Sequence, residues 1–379
     1  MAILKKVKKC SHCGSILQTT EPEQTGFIDP IIVKKYPDGV LLCNDCFKTE
    51  KIDIEPMEAK FEEDYSKILG EIKAKKGFIV YVVDLFSFEG CFITEINDLL
   101  NGLDVLLIGN KIDLMPANFD EKNLKMYLEH RLRMANLNVI DTLLVSSNTG
   151  YNIEPLITKI KQLSNGRDVF FIGPSTSGKS TIITRLLKHY KNETDNLIVT
   201  YTYKGTDIRG FRIPITNKSY IYEVPGTAIN NSLLGNLERP IINSVIPKRP
   251  VKAHKVNLTD KIGVALGGLC FIQLLSAEVS PISIYVSDKL PVKTKRGDQI
   301  KFFQTILEKG DQSSTSYKFR SFSDFDTYDF EIEEEGDRDI GILGLGWLSF
   351  KGNKQKFRIF VPKGIFVYTT RAKIKYVKN

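Results

Sequence analysis

Residues 169–180 read VFFIGPSTSGKS, a short apolar run followed by a glycine-rich turn. The run, 169–172, has the length and the β-branched or aromatic side chains of a buried strand. The turn, 173–180, matches the pattern GxxxxGK(S/T), and the helical pattern TIITRLLKHY follows it directly. These elements occur in the order that a phosphate-binding loop requires, so the stretch predicts an α/β fold with a parallel sheet.

Each part of this loop has a role in binding the phosphates of a nucleotide. Gly173 and Gly178 let backbone N–H groups turn inward, and the Lys179 ammonium is expected on the β- and γ-phosphates. We expect the Ser180 hydroxyl to ligate Mg²⁺, while the helix amino terminus adds a partial positive charge. The predicted nucleotide contacts here also include Ser175, Thr176, Ser177 and Thr181. The loop by itself does not distinguish ATP from GTP.

A second motif, Asn110-Lys111-Ile112-Asp113, predicts which base is bound. It follows the apolar run VLLIG and therefore lies at the carboxyl end of a strand, where α/β sheets bind ligands. We expect Asp113 to accept hydrogen bonds from guanine N1 and its exocyclic amine, Asn110 to hold neighbouring loops, and Lys111 to cover the base. Adenine would leave the desolvated carboxylate without a donor. The four-residue match is weak alone, but combined with the phosphate loop it predicts guanine.

A third segment, Ser146-Ser147-Asn148, follows the apolar run 142–145. Its small polar residues suit a loop whose backbone amide reaches the carbonyl oxygen of guanine. A plain helix cap is the alternative interpretation.

Two further segments suit the region of the γ-phosphate. Residues 204–207 read KGTD and supply Thr206, and residues 223–226 read EVPG, with a glycine whose amide would touch that phosphate. Glu223 stands where such a DxxG motif usually has aspartate, which reaches Mg²⁺ through water. The predicted Mg²⁺ ligands are therefore Ser180, Thr206 and, through water, Glu223, and the predicted catalytic residues are Lys179 and Thr206.

The residue after Gly226 bears on the rate of hydrolysis. Thr227 occupies the place where many GTPases carry the glutamine that orients the attacking water. We therefore predict slow intrinsic hydrolysis in the absence of a partner.

Two CxxC pairs near the amino terminus have the spacing of a four-thiolate zinc site: Cys10 with Cys13, and Cys43 with Cys46. Such a site has no open position, so we expect a structural Zn²⁺. The metal would replace a core that residues 1–55 are too poor in apolar periodicity to form. Nearby lysines favour contact with RNA phosphates, with a basic solvated surface as the alternative.

The sequence predicts three domains: a zinc module over 1–55, a nucleotide-binding domain over 56–240 and an α+β domain over 241–379. Apolar runs of strand length at 78–85, 105–108 and 142–145 alternate with helical patterns at 121–134 and 153–163. After position 239, prolines and basic residues mark a boundary. Beyond it we expect strands at 282–286, 342–350, 357–361 and 365–369, a helix at 298–308, and a solvated loop or edge over the acidic residues 324–339.

Composition narrows the setting of the protein. A net charge of +8 over 379 residues makes nucleic acid a candidate partner. The longest apolar run, 262–275, contains three glycines and is shorter than the roughly 20 residues that cross a bilayer, so we predict a buried strand and turn and no membrane association. Cys91 and Cys270 stand alone in apolar surroundings, and we expect both to be buried as small hydrophobic residues. This use of cysteine is typical of a reducing compartment, so we expect a cytoplasmic protein.

The order of the motifs is rotated relative to an ordinary GTPase, in which the phosphate loop comes first. Here NKID at 110–113 and SSN at 146–148 precede GPSTSGKS at 173–180, GTD at 205–207 and EVPG at 223–226. A circular permutation of this kind keeps the sheet and the site while moving the chain ends.

The chain resembles the YqeH-type circularly permuted GTPases over nearly its whole length. The resemblance lies in the double CxxC, the order of the motifs, and the late segments GGL at 267–269 and GLGW at 344–347. The resemblance implies a bacterial GTPase that acts in biogenesis of the small (30S) ribosomal subunit, with that subunit and its rRNA as partners and no DNA. The family's phosphate loop usually carries asparagine, associated with stimulation by K⁺, where this chain has Thr176, so a potassium requirement is not carried over.

Two alternatives remain open from the residues. Glu223 and the missing glutamine are compatible with a GTP-dependent RNA- or ribosome-binding module that hydrolyses little or no GTP. A zinc-bearing, DNA-binding ATPase would require Asp113 to be unrelated to the base.

Overall fold

The computed structural model divides the chain into two compact units, each described here by itself. The first comprises Met1–Asp84, Ile93–Lys111 and Ala135–Ala228, and the second comprises Leu85–Phe92, Ile112–Met134 and Ile229–Asn379. The structure describes residues 9–10, 15–30, 33, 41, 43–44, 58–59, 66–91, 98–193, 199–202, 209–214, 219–227, 229, 231–237, 239–276, 280–309, 319–333 and 335–374.

The described strands of the first unit are β1 (Glu58–Ala59), β2 (Phe78–Asp84), β3 (Val105–Asn110), β4 (Asp141–Leu144), β5 (Val169–Ile172), β6 (Val199–Thr202), β7 (Arg209–Pro214), β8 (Tyr220–Glu223) and β9 (Gly226–Thr227). Within this described part, seven of them form one sheet in the order β4-β3-β2-β5-β8-β7-β6. The first five in that order are parallel, and β7 and β6 continue the sheet in antiparallel fashion. The predicted α/β fold with a parallel sheet is therefore confirmed.

The described helices of the chain are α1 (Ser66–Ala74), α2 (Glu121–Met134), α3 (Ile153–Ser164), α4 (Lys179–Glu193), α5 (Leu233–Asn236), α6 (Arg239–Val245) and α7 (Gln299–Lys309). In the first unit, α3 and α4 bury apolar side chains against β2, β3 and β5. Strand β2 is buried along its whole length, as its sequence FIVYVVD requires of a central strand covered on both faces. The sheet therefore holds the carboxyl ends of β2, β3, β5 and β8 side by side.

The described strands of the second unit are β10 (Ala253–Leu258), β11 (Ile262–Leu266), β12 (Cys270–Leu274), β13 (Ser280–Val286), β14 (Val292–Arg296), β15 (Phe325–Glu331), β16 (Gly336–Ile342), β17 (Gly346–Gly352), β18 (Lys356–Pro362) and β19 (Val367–Arg371). Over the described residues they form two five-stranded antiparallel sheets, ordered β10-β13-β17-β16-β19 and β14-β11-β12-β18-β15. Apolar side chains from both sheets share one core. Helix α7 packs Phe302, Phe303 and Leu307 against a smaller apolar cluster on the second sheet.

Two expectations for this unit were wrong in part. The predicted strand 342–350 is interrupted by a turn, since Gly344 and Gly346 have φ of 83° and 146° and separate β16 from β17. The acidic residues 324–339 contain edge strand β15, as predicted, but also part of β16, where Asp339 is buried. Burial raises the pKa of Asp339 to about 6, while its carboxylate accepts hydrogen bonds from the Ser349 hydroxyl and the backbone N–H of Lys373.

A buried carboxylate ties helix α2 to the segment after β2. Glu89 accepts a hydrogen bond of 2.7 Å from the Tyr127 hydroxyl, and the Nε and Nη2 atoms of Arg131 donate to its two oxygens at 3.0 and 2.6 Å. Burial, and then the charge of Glu89, raise the pKa of Tyr127, so its hydroxyl keeps the proton that it donates.

The two compact units differ from a division at residue 240, where prolines and basic residues predict a domain boundary. Residues 85–92 and 112–134 belong with the carboxyl-terminal half of the sequence, and the ring of Phe86 lies edge-on to that of Trp347 with centroids 5.5 Å apart. Such packing joins residues distant in sequence, and no local pattern signals it. Among the described residues, no helix has both the length and the apolar character needed to cross a membrane.

Replacing Glu89 with alanine should destabilise the second unit, because Arg131 and Tyr127 would lose their buried acceptor. We expect the free energy of unfolding to fall by about 2 kcal/mol, measured by urea denaturation. The control is Glu121→Ala on the same helix, whose ion pair with Lys125 spans 3.6 Å between side chains that are each about one third exposed. It should cost no more than about 0.5 kcal/mol, and equal losses for the two variants would contradict the assignment.

Candidate functional site

The phosphate loop leaves the end of β5 and returns to helix α4 through a short 3-10 turn at Ser175–Ser177. Gly173 and Gly178 have φ of 140° and 88°, which side-chain-bearing residues rarely adopt. A Cβ atom on Gly173 would lie 2.2 Å from the carbonyl oxygen of Val82, so the loop crosses β2 at a distance that only glycine permits.

The Lys179 side chain is buried and folds back onto its own loop. Its Nζ atom donates hydrogen bonds of 2.7 and 2.8 Å to the carbonyl oxygens of Gly173 and Pro174. A buried ammonium is costly without such acceptors, so these contacts fix the cation at the loop.

Asn110, at the end of β3, joins two loops that are far apart in sequence. Its Nδ2 atom donates to the carbonyl oxygen of Ser177 at 2.8 Å and to the hydroxyl of Ser147 at 3.2 Å, and its Oδ1 atom accepts from the Ser147 amide at 3.0 Å. A Cβ atom on Gly178 would lie 2.3 Å from Nδ2. The structure thus brings three predicted segments, NKID, SSN and the phosphate loop, to one buried amide.

Ser146 takes part in a turn of its own rather than in a helix cap. Its hydroxyl accepts a hydrogen bond of 2.9 Å from the amide of Thr149, whereas helix α3 begins at Ile153 after Asn152, which makes no side-chain cap. The helix-cap alternative therefore does not account for this serine.

Two residues of the site were missed by sequence reasoning. Arg185 on α4 donates from Nε to the carbonyl oxygen of Ser147 at 2.9 Å and from Nη2 to that of Asn148. Asp84, at the end of β2, accepts a hydrogen bond of 2.7 Å from Lys111 Nζ. A carboxylate at the carboxyl end of a buried strand is a usable signal for Asp84, but Arg185 lies in an ordinary helical pattern and carries none.

Ser180 and Glu223 form a second pair beside the loop. The Ser180 hydroxyl donates to Glu223 Oε1 at 2.5 Å, while the buried Oε2 atom has no hydrogen-bond partner within the described residues. Burial raises the pKa of Glu223 above its ordinary value, and the Ser180 hydrogen bond and the charge of Lys179 act in the opposite direction. A hydroxyl and a buried carboxylate oxygen lacking a donor are suitable ligands for a hard cation such as Mg²⁺.

Gly226 lies directly against the phosphate loop. A Cβ atom placed there would be 2.4 Å from Ser175 Cα and 2.8 Å from Lys179 Nζ. The same residue pairs in parallel register with Glu58, and Thr227 pairs with Ala59, so β9 touches the segment that precedes α1.

Asp113 and Thr206 are not among the residues described at the site within the first unit. Thr206 lies outside the described residues. Asp113 belongs to the second unit, in the 3-10 turn Ile112–Leu114. Thr176, Thr181 and Asn148 are exposed.

The cysteine pairs are described only in part. Cys10 and Cys43 are both buried, and the amide of Cys43 donates to Cys10 Sγ at 3.4 Å. Cys13 and Cys46 lie outside the described residues, and within those that are described no group of three or more His, Cys, Asp or Glu residues could hold a metal.

Comparison with known proteins finds relatives that span most of the chain. The chain is 27% identical over 366 residues to a protein of Bacillus subtilis named YqeH and described as uncharacterized, covering 96% of this chain and 99% of that one. It is 22% identical over 391 residues to NO-associated protein 1, chloroplastic/mitochondrial, of Arabidopsis thaliana, covering 91% and 70%. It is 26% identical over 213 residues to the small ribosomal subunit biogenesis GTPase RsgA of Clostridium beijerinckii, covering 51% and 69%. No protein-family model matches the chain.

Proposed function

We propose that the chain is a YqeH-type circularly permuted GTPase that binds and hydrolyses GTP as an assembly factor of the small ribosomal subunit. The observation that carries the proposal is the hydrogen bonding of Asn110 to both Ser147 and Ser177. A base-recognition strand and a phosphate loop joined by one buried amide are suited to a single purine nucleotide. The relative whose name includes small-subunit biogenesis supports the choice of partner.

Lys179 would neutralise the β- and γ-phosphates, and the N–H groups at the start of α4 would bind phosphate oxygens. Ser180, Thr206 and, through water, Glu223 would hold Mg²⁺, which draws charge from the transferred phosphoryl group when it is bound. Asp113, Lys111 and the Ser146–Asn148 segment would select guanine. Because Thr227 follows Gly226 where many GTPases have glutamine, we expect slow intrinsic hydrolysis. We also expect the small ribosomal subunit to accelerate it.

Equilibrium binding and single-turnover hydrolysis test this proposal together. We expect GTP and GDP to compete with a fluorescent guanine nucleotide at least about 100-fold better than ATP and ADP. Hydrolysis should be slow alone and faster with small ribosomal subunits. Preference for ATP would instead select a DNA-binding ATPase, and tight GTP binding with background turnover, even with subunits, would select the GTP-dependent binding module.

We further propose a structural Zn²⁺ held by Cys10, Cys13, Cys43 and Cys46. The burial of Cys10 and Cys43, and the amide that one donates to the sulfur of the other, support a thiolate site. The proposed organisation is a zinc module over 1–55, a nucleotide-binding domain over 56–240 and an α+β domain over 241–379 that interacts with RNA or the ribosome. We place the protein in the bacterial cytoplasm, where ribosomes are assembled.

Replacing Glu223 with glutamine separates metal binding from folding. The amide oxygen can still accept from Ser180, but the negative charge is lost, so the Mg²⁺ concentration that half-saturates the GDP complex should rise about tenfold or more. The pKa of Glu223 is raised in the folded state, so above the unfolded pKa of about 4 its charged form destabilises the folded state. Glutamine carries no charge, so without nucleotide at pH 7 the variant should unfold at a higher temperature than the natural chain.

Thr158→Ala is the control for that experiment, since it deletes a hydroxyl that, within the described part of the chain, donates to the carbonyl oxygen of Glu154 in the same helix. Its Mg²⁺ titration should match that of the natural chain. An unchanged Mg²⁺ requirement in Glu223→Gln would remove Glu223 from the proposed metal site.

A further inference from the structure

The turn that carries Asp113 is pinned by a residue 138 positions away in the sequence. Within the second unit, the carbonyl oxygen of Leu114 accepts a hydrogen bond of 3.0 Å from the backbone N–H of Val251. Both residues are buried, with 6% and 3% of their surface exposed, so water does not offer an equivalent donor. The turn closes on itself as well, since the amide of Met115 donates to the carbonyl oxygen of Ile112 at 3.1 Å.

The chain that follows this turn is anchored in the same unit at two further points. The side chain of Asn118 is hydrogen-bonded to Tyr285 on β13. The Tyr127 hydroxyl lies 3.4 Å from the hydroxyl oxygen of Thr370 on β19, in addition to its bond with Glu89. Rotation of the turn about its carboxyl-terminal side is therefore restricted, and the bond from Val251 restricts the peptide between Leu114 and Met115, which follows directly on the peptide that joins Asp113 to Leu114.

We propose that Val251 is a positioning residue for guanine recognition, holding the Asp113 carboxylate through the carbonyl of Leu114. The inference rests on the proposed function, because it concerns the base that Asp113 would bind. A carboxylate that accepts from two donors on one edge of a base tolerates little rotation, and fixing the peptide between 114 and 115 restricts the backbone of Leu114, the residue directly after Asp113.

Through this hydrogen bond, residues 246–252 would affect how tightly the guanine base is bound but not how tightly the phosphates are bound. Prolines 247 and 250 restrict this segment, and Val251 presents its amide directly after the second of them. A change in the segment that breaks the bond should lower affinity for guanine while leaving the contacts of Lys179 and Ser180 with phosphate intact. Guanine discrimination, rather than nucleotide affinity as a whole, is therefore the property to measure.

Val251→Pro removes the N–H donor, and Val251→Ala keeps it while deleting most of the side chain. Affinities for GDP and for inosine diphosphate, which lacks the exocyclic amine, are compared by competition in the full chain. We expect the GDP preference over inosine diphosphate to fall about fivefold or more in Val251→Pro, the effect of losing roughly one buried hydrogen bond, and to stay unchanged in Val251→Ala. An unchanged preference in a folded Val251→Pro protein would overturn the inference.

A second measurement needs no variant. If the bond to Leu114 and recognition by Asp113 are coupled, a ligand that uses Asp113 more fully must strengthen the bond. Saturating GDP should then slow hydrogen exchange at the Val251 amide more than saturating inosine diphosphate does, and equal exchange under the two ligands would overturn the inference. A natural chain with no preference for GDP over ADP would instead refute the proposed function, so the two failures are distinguishable.

Discussion

Exchanging Asp113 for asparagine should turn the nucleotide preference from guanine to xanthine. Guanine offers two donors, N1–H and the exocyclic amine, to the carboxylate, whereas xanthine carries a carbonyl oxygen in place of the amine. The asparagine amide can donate to that oxygen and accept from N1–H. Because the guanine amine would then face an N–H donor, we expect GDP affinity to fall about 100-fold or more and xanthosine diphosphate to become the better ligand.

Competition of the two diphosphates against a fluorescent guanine or xanthine nucleotide measures the exchange. Asp120→Asn is the matched control, because Asp120 is also a carboxylate of the second unit and accepts from the backbone N–H of Asn123 at 2.7 Å, a role that asparagine fills equally well. The control should retain its GDP preference. If Asp113→Asn retained it too, the assignment of the base to NKID would be wrong.

Replacing Gly178 with alanine should disable the nucleotide site through Asn110. The φ of 88° at Gly178 disfavours any side chain by about 1–2 kcal/mol, and the added Cβ would lie 2.3 Å from Asn110 Nδ2. Asn110 must then move away from Ser147 and Ser177, so both loops lose the amide that joins them. We expect GDP affinity to fall about 100-fold, the combined effect of strain and of two buried hydrogen bonds.

Gly102 provides a control with the same backbone strain. Its φ is 87°, and a Cβ atom there would meet nothing within 4 Å. Gly102→Ala should therefore lower the free energy of unfolding by about 1–2 kcal/mol and leave GDP affinity unchanged. Equal GDP affinities in the two variants would show that the contact with Asn110 does not matter for binding.

The parts of the molecule that follow from local pattern were predictable from sequence. The phosphate loop is one continuous stretch in which every residue type has a local reason, and β2 is a central strand because its residues 78–83 are apolar or aromatic and are all buried. The helical pattern at 298–308 likewise corresponds to α7, which begins and ends within one residue of the predicted bounds.

The parts that depend on contacts between distant residues were not predictable. Arg185 meets the carbonyls of Ser147 and Asn148 only because α4 runs beside that loop. Helix α2 is joined to residues 85–92 through Glu89, which no spacing rule connects with Tyr127. Asp339 was not predictable for a different reason. A run of acidic residues predicts a solvent-exposed segment, but the pairing of β16 with β17 places the Asp339 side chain in the interior.

The ladder of Glu58 and Ala59 with Gly226 and Thr227 has a mechanical consequence. Gly226 lies in contact with the phosphate loop and is also paired with Glu58 in this ladder. A shift of Gly226 therefore either breaks the ladder or moves Glu58 and Ala59 with it. A two-residue parallel ladder is weak enough for both outcomes to be accessible at room temperature. Position 58 is twelve residues after Cys46 in the sequence, so where the ladder holds, a displacement of Gly226 also moves a point of the chain close in sequence to the amino-terminal cysteines.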